Sequence, residues 1–291
     1  MKISVVIPTL NRERVLVDTI AKVLEDKYSD FEVIVVDQTE RHEPETDRAL
    51  RQFGSKIKLV KESVKSLPHA RNQGVKQASG EIILFLDDDI IPKPGLLAAH
   101  ASRYGDPKVG GVGGRIVAAG DEGKPEPKKI VTITPWAAFK DYFYATHTEE
   151  VATVRGANMS FRRDVYVRTG GFDENYVGNA MREETDFSFR VRKLGYRLVF
   201  EPTAEVFHLL TPAGGARSGD RVGRYRTFFR NNTYFFLRHF NPALLPIFWL
   251  TLWKQFFGCV LRFSPVAPFQ GIADAFGDLQ RGPKLDADFI R

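Results

Sequence analysis

Residues 80–89 read Gly-Glu-Ile-Ile-Leu-Phe-Leu-Asp-Asp-Asp, an apolar run that stops in three consecutive carboxylates. From Ile82 to Leu86 the run is long and apolar enough for a strand buried on both faces, as at the centre of a parallel sheet. The carboxylates then stand at its carboxyl end. If the backbone stays extended, a side-chain period of two sends Asp87 and Asp89 to one side and Asp88 to the other, so two carboxylates converge. Like charges that close repel unless a cation lies between them. Hard oxygen ligands with no neighbouring cysteine suit a divalent ion, Mg or Mn, that keeps positions free for phosphate oxygens. The plain alternative is a solvated acidic turn before Pro92 and Pro94.

The flanking sequence supplies the rest of a layered α/β fold. Residues 2–9 read as a strand closed by a proline, followed by a helical pattern whose buried stripe is Val15, Ile20, Val23 and Leu24. Residues 31–36 form a second apolar run, ending in Asp37-Gln38-Thr39, and residues 57–60 a third. Pro68-His69-Ala70-Arg71-Asn72-Gln73-Gly74 opens another helix before the run to Asp87. This alternation with short connections predicts a mostly parallel sheet flanked by helices. Ligands of such sheets collect beyond the carboxyl ends of the strands, where Thr9, Asn11, Arg12, Asp37, Asp87 and Asp89 all fall. Each also has a local role open to it, as a helix cap or a turn residue. Neither standard glycine-rich phosphate loop is present.

Further along, residues 109–117 return to strand-forming residues interrupted by Gly110, Gly111, Gly113 and Gly114, a pattern that predicts a bulge or close approach to a ligand. Residues 119–129 read as a loop. Residues 155–161 form a short strand, and Arg182-Glu183-Glu184-Thr185-Asp186 opens a helix that ends near Gly195. Carboxylates in a first helical turn complement the helix dipole, and the same position suits a proton acceptor. Residues 196–200 and 204–208 read as two short strands, the second ending in the lone His208, for which a structural role competes with metal ligation.

At 291 residues and 43% hydrophobic content the chain is long enough for one large core and an appendage. The single cysteine, Cys259, excludes an internal disulfide framework and fits a reducing, cytoplasmic setting, with no signal-peptide pattern at the start. The formal charge of +6 is concentrated: residues 217–262 carry eight Arg or Lys against one acid, Asp220.

Taken in order, these pieces resemble the family 2 glycosyltransferases, inverting enzymes of the GT-A fold. The resemblance lies in Val6-Ile7-Pro8-Thr9-Leu10-Asn11-Arg12, Val35-Val36-Asp37, Ala70-Arg71-Asn72-Gln73-Gly74, Gly80-Glu81 with Asp87-Asp88-Asp89, Gly156-Ala157-Asn158, Gly171-Phe172-Asp173-Glu174, Glu183-Glu184-Thr185-Asp186 and His208. It covers residues 1–210, which it implies form the nucleotide-sugar-binding and catalytic domain. It implies that Pro8, Thr9, Asn11, Arg12, Asp37, Arg71, Asp87 and Asp88 hold a nucleoside-diphosphate sugar, with Asp37 accepting the imide proton of a uracil-like base. Asp87, Asp89 and His208 would ligate the metal, Mn or Mg, and Asn158 and Asp173 would line the acceptor or sugar side. The family's base is usually an Asp preceded by Glu. Here that position is Glu184, with Glu183 the other candidate.

Beyond His208, residues 211–291 read as a C-terminal helical segment, aromatic and basic. Residues 211–221 read as a loop that could close over the diphosphate through Arg217 or Arg221. Residues 241–253 carry no charge and are too short to span a bilayer, which needs about 20 residues. Three readings stay open for this segment: a helix in the interface at the inner face of the cell membrane, aromatics packed under the catalytic domain, or a homodimer contact. Nucleic acid is excluded as a partner because no recognised binding module accompanies the basic residues. The leading expectation is sugar transfer to a glycan or lipid-linked acceptor hydroxyl. A nucleotidyltransferase would need a glycine-rich first loop where Ile7-Pro8-Thr9-Leu10 stands, and a nucleotide-sugar-binding protein without turnover is the non-enzymatic alternative.

Overall fold

The computed structural model describes residues 1–211, 214–215 and 220–290. Its first half is β1 (Ile3–Thr9), α1 (Arg14–Leu24), β2 (Phe31–Asp37), α2 (Pro44–Gln52), β3 (Ile57–Lys61), α3 (Leu67–Lys76), β4 (Ile82–Leu86), β5 (Ile90–Pro92), α4 (Leu96–Ser102) and β6 (Val109–Ala118). A small hairpin of β7 (Val131–Ile133) and β8 (Phe139–Asp141) follows, then β9 (Glu149–Glu150), β10 (Asn158–Arg162), α5 (Arg163–Arg168), α6 (Glu183–Lys193) and β11 (Arg197–His208). The chain ends in helices α7 (Arg221–His239), α8 (Leu245–Thr251), α9 (Trp253–Arg262), α10 (Ala267–Arg281) and α11 (Ala287–Ile290).

The main sheet runs β3-β2-β1-β4-β10-β6-β11-β5, with β9 added to β11. β3, β2, β1 and β4 are mutually parallel, as the strand and helix alternation requires. β10 enters antiparallel between β4 and β6, so the sheet is mixed. Every residue of β1 and β4 is buried, because α1 and α3 cover opposite faces. The buried stripe of α1 is Leu16, Thr19, Ile20 and Val23 rather than one through Val15. Thr19 turns inward because its hydroxyl lies 3.1 and 3.0 Å from the carbonyls of Asp88 and Ile90, groups that need a partner once buried.

One expectation changes: the two short strands of residues 196–208 are one strand, β11, broken in register between Glu201 and Glu205 where it follows β6. The bulge expected of the β6 glycines is present, since the pairing passes from Arg197–Val109 to Leu198–Gly111 and skips Gly110, and the glycines otherwise admit neighbouring protein. A Cβ on Gly110 would meet Tyr196, one on Gly111 would meet Phe161 and Leu198, and one on Gly114 would meet Asn158 and the Ala204 carbonyl.

The C-terminal helices are braced against the sheet domain. Phe229, Tyr234, Phe235 and Phe236 of α7 are buried, with Phe235 edge-on to Phe139 and Phe189. These aromatics are therefore core, as the packing alternative required. Phe289 of α11 returns to the sheet domain and packs edge-on against Tyr166. Arg221 stacks on Phe263, while Arg217 lies outside the described residues.

Candidate active site

β4 ends at Leu86, and the chain turns through Asp88 and Asp89 into β5, pinned by Thr19. The backbone does not stay extended, yet this turn still brings Asp87 and Asp89 together. Asp87, Asp89 and His208 each present a ligand atom, all within 4.8 Å of one another, with His208 Nε2 3.0 Å from Asp89 Oδ1 and 3.8 Å from Asp87 Oδ2. Two carboxylates and one imidazole on one point are a donor set that fits Mn or Mg, with Asp87 facing the opening. His208 is held there because β11 pairs with β5, which places it beside Ile90.

Asp88 points the other way. Its Oδ2 accepts from the Thr9 hydroxyl at 2.7 Å, and the Arg12 guanidinium lies 3.3 Å from its Oδ1 and 3.1 Å from Asp89 Oδ2. Burial pushes the Asp88 carboxyl up to about 7, although Arg12 and Thr9 pull against it. Burial also opposes the Asp89 charge, but His208, Arg12 and the Thr211 amide outweigh it and hold that carboxyl below its usual range. Arg12 thus serves here as the internal counter-charge of the acidic turn.

In the same cleft, next to the acidic turn, Arg71 of α3 and Glu183 of α6 form an ion pair with 1% and 2% of their side chains exposed. Arg71 also donates to the Gly156 carbonyl at 3.1 Å and lies 3.6 Å from Asp87. Glu184 is half-buried and lines the cleft with no hydrogen-bond partner among the described residues. It faces the charges of Arg71, Arg155 and Arg182. The cleft has a volume of about 970 Å³ and is shared by Pro8, Thr9, Arg12, Arg71, Asp87, Asp88, Asp89, Glu183, Glu184 and His208.

Four residues expected at the site lie outside the cleft lining. Asp37 is fully buried: its Oδ1 accepts from the Thr39 amide at 2.9 Å, and its Oδ2 from Lys61 at 2.6 Å with His42 Nε2 at 2.9 Å. Burial opposes its charge, but these partners outweigh it and lower its pKa. Asn11 is exposed, in the left-handed region at φ 52°, and donates its amide to Thr39 Oγ1. Asn158, expected on the acceptor side, is instead an internal brace. Its Oδ1 is 2.8 Å from His100 Nε2, and its Nδ2 donates to the carbonyls of Arg115 and Ala204. Asp173, expected beside it, accepts from Tyr234, Arg238 and the Lys284 amide and so locks α7 to the sheet domain. Both are corrections with one cause: polar groups this deeply buried are consumed by the protein's own partners.

Arg182, Arg155 and, from β8, Phe139 and Asp141 line the cleft without having been singled out from the sequence. Arg182 caps α6 at φ 79° and lies 4.0 Å over the Phe139 ring, while Arg155 donates to Asp141 at 2.5 Å. The alternation in Val131-Thr132-Ile133-Thr134 is a local signal for β7, the strand that pairs with β8.

This arrangement of sheet and cleft defines a class. The chain superposes on a mannosyltransferase of Pyrobaculum calidifontis solved with GDP-Man and Mn2+, with a TM-score of 0.58 and 20% identity over 97% of this chain and 76% of that one. It also superposes on residues 1–349 of S. aureus TarS with UDP-GlcNAc, with a TM-score of 0.63 and 16% identity over 99% and 83%. The fold is that of the GT-A glycosyltransferases.

Residues 4–170 match the family described as "Glycosyl transferase family 2", and the chain belongs to that family. Among curated relatives, a glucosyl-dolichyl phosphate glucuronosyltransferase of Haloferax volcanii is 27% identical over 72% of this chain and 70% of its own length. A probable glycosyltransferase of Bacillus subtilis, YdaM, is 26% identical over 70% of this chain, which spans about half of it (49%). A GalNAc(5)-diNAcBac-PP-undecaprenol beta-1,3-glucosyltransferase of Campylobacter jejuni is 34% identical over 30% of this chain.

Proposed function

We propose that this protein is an inverting, metal-dependent glycosyltransferase that moves a sugar from a nucleoside diphosphate to an acceptor hydroxyl on a glycan or lipid-linked precursor. The observation that carries the reading is the placement of an open carboxylate, Glu184, and the convergent group Asp87, Asp89 and His208 in one cleft. Residues 1–210 supply the cleft lining together with Gly215, and helix α7 braces it from behind. The buried thiol of Cys259 fits a cytoplasmic site of action.

Asp87, Asp89 and His208 would hold Mn or Mg. When bound, the ion offsets the negative charge of the diphosphate as it leaves. Pro8, Thr9 and Arg71 border the donor side of the cleft, where Asp37 and Asn11 set the course of the Gln38-Thr39 loop. Asp88 and Arg12 act from beneath, fixing the acidic turn so that Asp87 and Asp89 stay together.

The two glutamates divide their work. Glu183 is committed to Arg71 and buried, so it positions. Glu184 is free to accept a proton. An acceptor hydroxyl held near Glu184 attacks the anomeric carbon as its proton passes to the carboxylate, the bond to the diphosphate breaks, and one displacement inverts the centre. The relative from Haloferax is named for a dolichyl phosphate substrate and that from Campylobacter for an undecaprenol-linked one, which supports a lipid-linked acceptor here.

Replacing Glu184 by Gln tests the assignment. Transfer should fall by about 100-fold or more, the range of a lost general base, while nucleotide-sugar binding, read by thermal shift with Mn2+, stays. Persistent transfer in Glu184→Gln would place the base elsewhere. Tight nucleotide-sugar binding with neither hydrolysis nor transfer to any acceptor would favour the binding protein without turnover.

A further inference from the structure

The last helices carry an apolar ridge that the protein leaves uncovered. On α9, Trp253, Phe257 and Leu261 recur at i, i+4 and i+8 with 52%, 52% and 79% exposure, and Leu250 of α8 is 68% exposed. That spacing places the three α9 side chains on one face. The other side of the same pair is occupied: Leu245, Phe248, Leu252 and Cys259 are buried, and Phe236 stacks on Phe248 at 4.6 Å. No single described helix is long and apolar enough to cross a membrane; residues 242–251 and 253–262 reach that length and composition only together, as a pair bent by 62°. With Phe248 stacked on Phe236 of α7 and Leu245, Leu252 and Cys259 buried, this pair lies along the protein.

The charge around the ridge has one sign. Residues 221–273 contain no Asp or Glu. Arg226 and Arg230 are paired with Asp274 and Asp278, but Arg224, Lys254 and Arg262 form no ion pair among the described residues. Lys254 lies beside the apolar face in the first turn of α9, and Arg262 ends the helix. A two-fold contact between copies would set this face against itself, bringing basic groups opposite basic groups with no acid to answer them. A surface with an apolar interior and anionic headgroups answers both halves of the pattern.

We infer that the α8–α9 ridge is a docking surface for an anionic lipid bilayer, with Leu250, Trp253, Phe257 and Leu261 entering the headgroup boundary and Lys254 and Arg262 meeting the lipid phosphates. The ridge reaches the active cleft through α7. Thr227 abuts the cleft-lining Gly178, and Tyr225, two residues earlier, stacks against Phe263 just beyond α9. Docking therefore holds the cleft in one fixed orientation relative to the bilayer. This gives the lipid-linked acceptor reading a route, but the ridge is tested without any sugar donor.

The experiment is flotation of the full chain with phosphatidylcholine vesicles, with and without about 30% phosphatidylglycerol, at low and high salt. The chain should float with the anionic vesicles, less so at high salt. Leu250→Ser/Leu261→Ser and Lys254→Glu/Arg262→Glu should each lower the bound fraction by about tenfold, with unchanged melting temperature and unchanged nucleotide-sugar hydrolysis. The inference is overturned if the wild-type chain stays with the supernatant, or if both variants float as it does. It is also overturned if light scattering shows a dimer that Leu250→Ser/Leu261→Ser dissolves while no vesicle binding is seen. Loss of hydrolysis in Glu184→Gln leaves flotation untouched, so the two readings fail separately.

Discussion

Arg71 and Glu183 form a buried ion pair at the centre of the cleft, joining α3 to the first turn of α6 directly beside the open Glu184. The guanidinium is enclosed further by the rings of Phe85 and Phe172, 5.9 and 5.5 Å from its centre. Burial lowers the Arg71 pKa, against the raising influence of Asp87 and Glu184. One side chain therefore links the acidic turn to the helix that presents the proposed base.

Removing one member of that pair strands the other. Arg71→Leu should destabilise the fold by about 3–5 kcal/mol, the usual cost of leaving a buried charge alone. Arg71→Leu combined with Glu183→Leu should recover much of that loss. Urea unfolding of the three proteins measures it, and equal stability of single and double variants would separate the two residues.

The acidic turn predicts metal affinity. Asp89→Asn removes one of three converging ligand atoms and should weaken Mn2+ binding, measured by calorimetry, by at least about tenfold. Chelation of the wild-type chain should abolish donor hydrolysis, and Mn2+ should restore it. Undiminished Mn2+ binding by Asp89→Asn would move the ion away from this turn.

His100 predicts an acid limb. It is fully buried between Asn158 and Ser160, and burial lowers its pKa from 6.5 to about 4. Between those values the unfolded chain binds a proton that the folded one refuses, so stability is fully present above about 6.5 and drains away as the pH falls toward about 4. His100→Gln should cost stability at pH 7 and narrow the difference between pH 7 and pH 5. An unchanged slope would rule out His100 as its source.

Gly114 predicts a packing limit. A methyl group there would overlap Asn158 and the Ala204 carbonyl, where β6, β10 and β11 meet. Gly114→Ala should destabilise by about 1–3 kcal/mol. A neutral effect in thermal unfolding would show that Asn158 can give way.

What the sequence determined by itself is the order of the strands in the chain and the address of the acidic turn. Those features are written in local periodicity and composition: apolar runs such as Ile82–Leu86 form strands wherever helices can cover them, and three carboxylates at the end of such a strand fall at the carboxyl edge of the sheet. The tertiary structure decided which polar side chains remain free to act. Asn158, Asp173 and Asp37 sit in matching motifs, yet His100, Arg238 and Lys61 reach them from 58, 65 and 24 residues away and take up their hydrogen bonds. The choice between Glu183 and Glu184 has the same origin, because Arg71 arrives from 112 residues away and reaches only one of them. A buried polar group takes whatever partner packing brings to it, and no local pattern records a partner so distant in the chain.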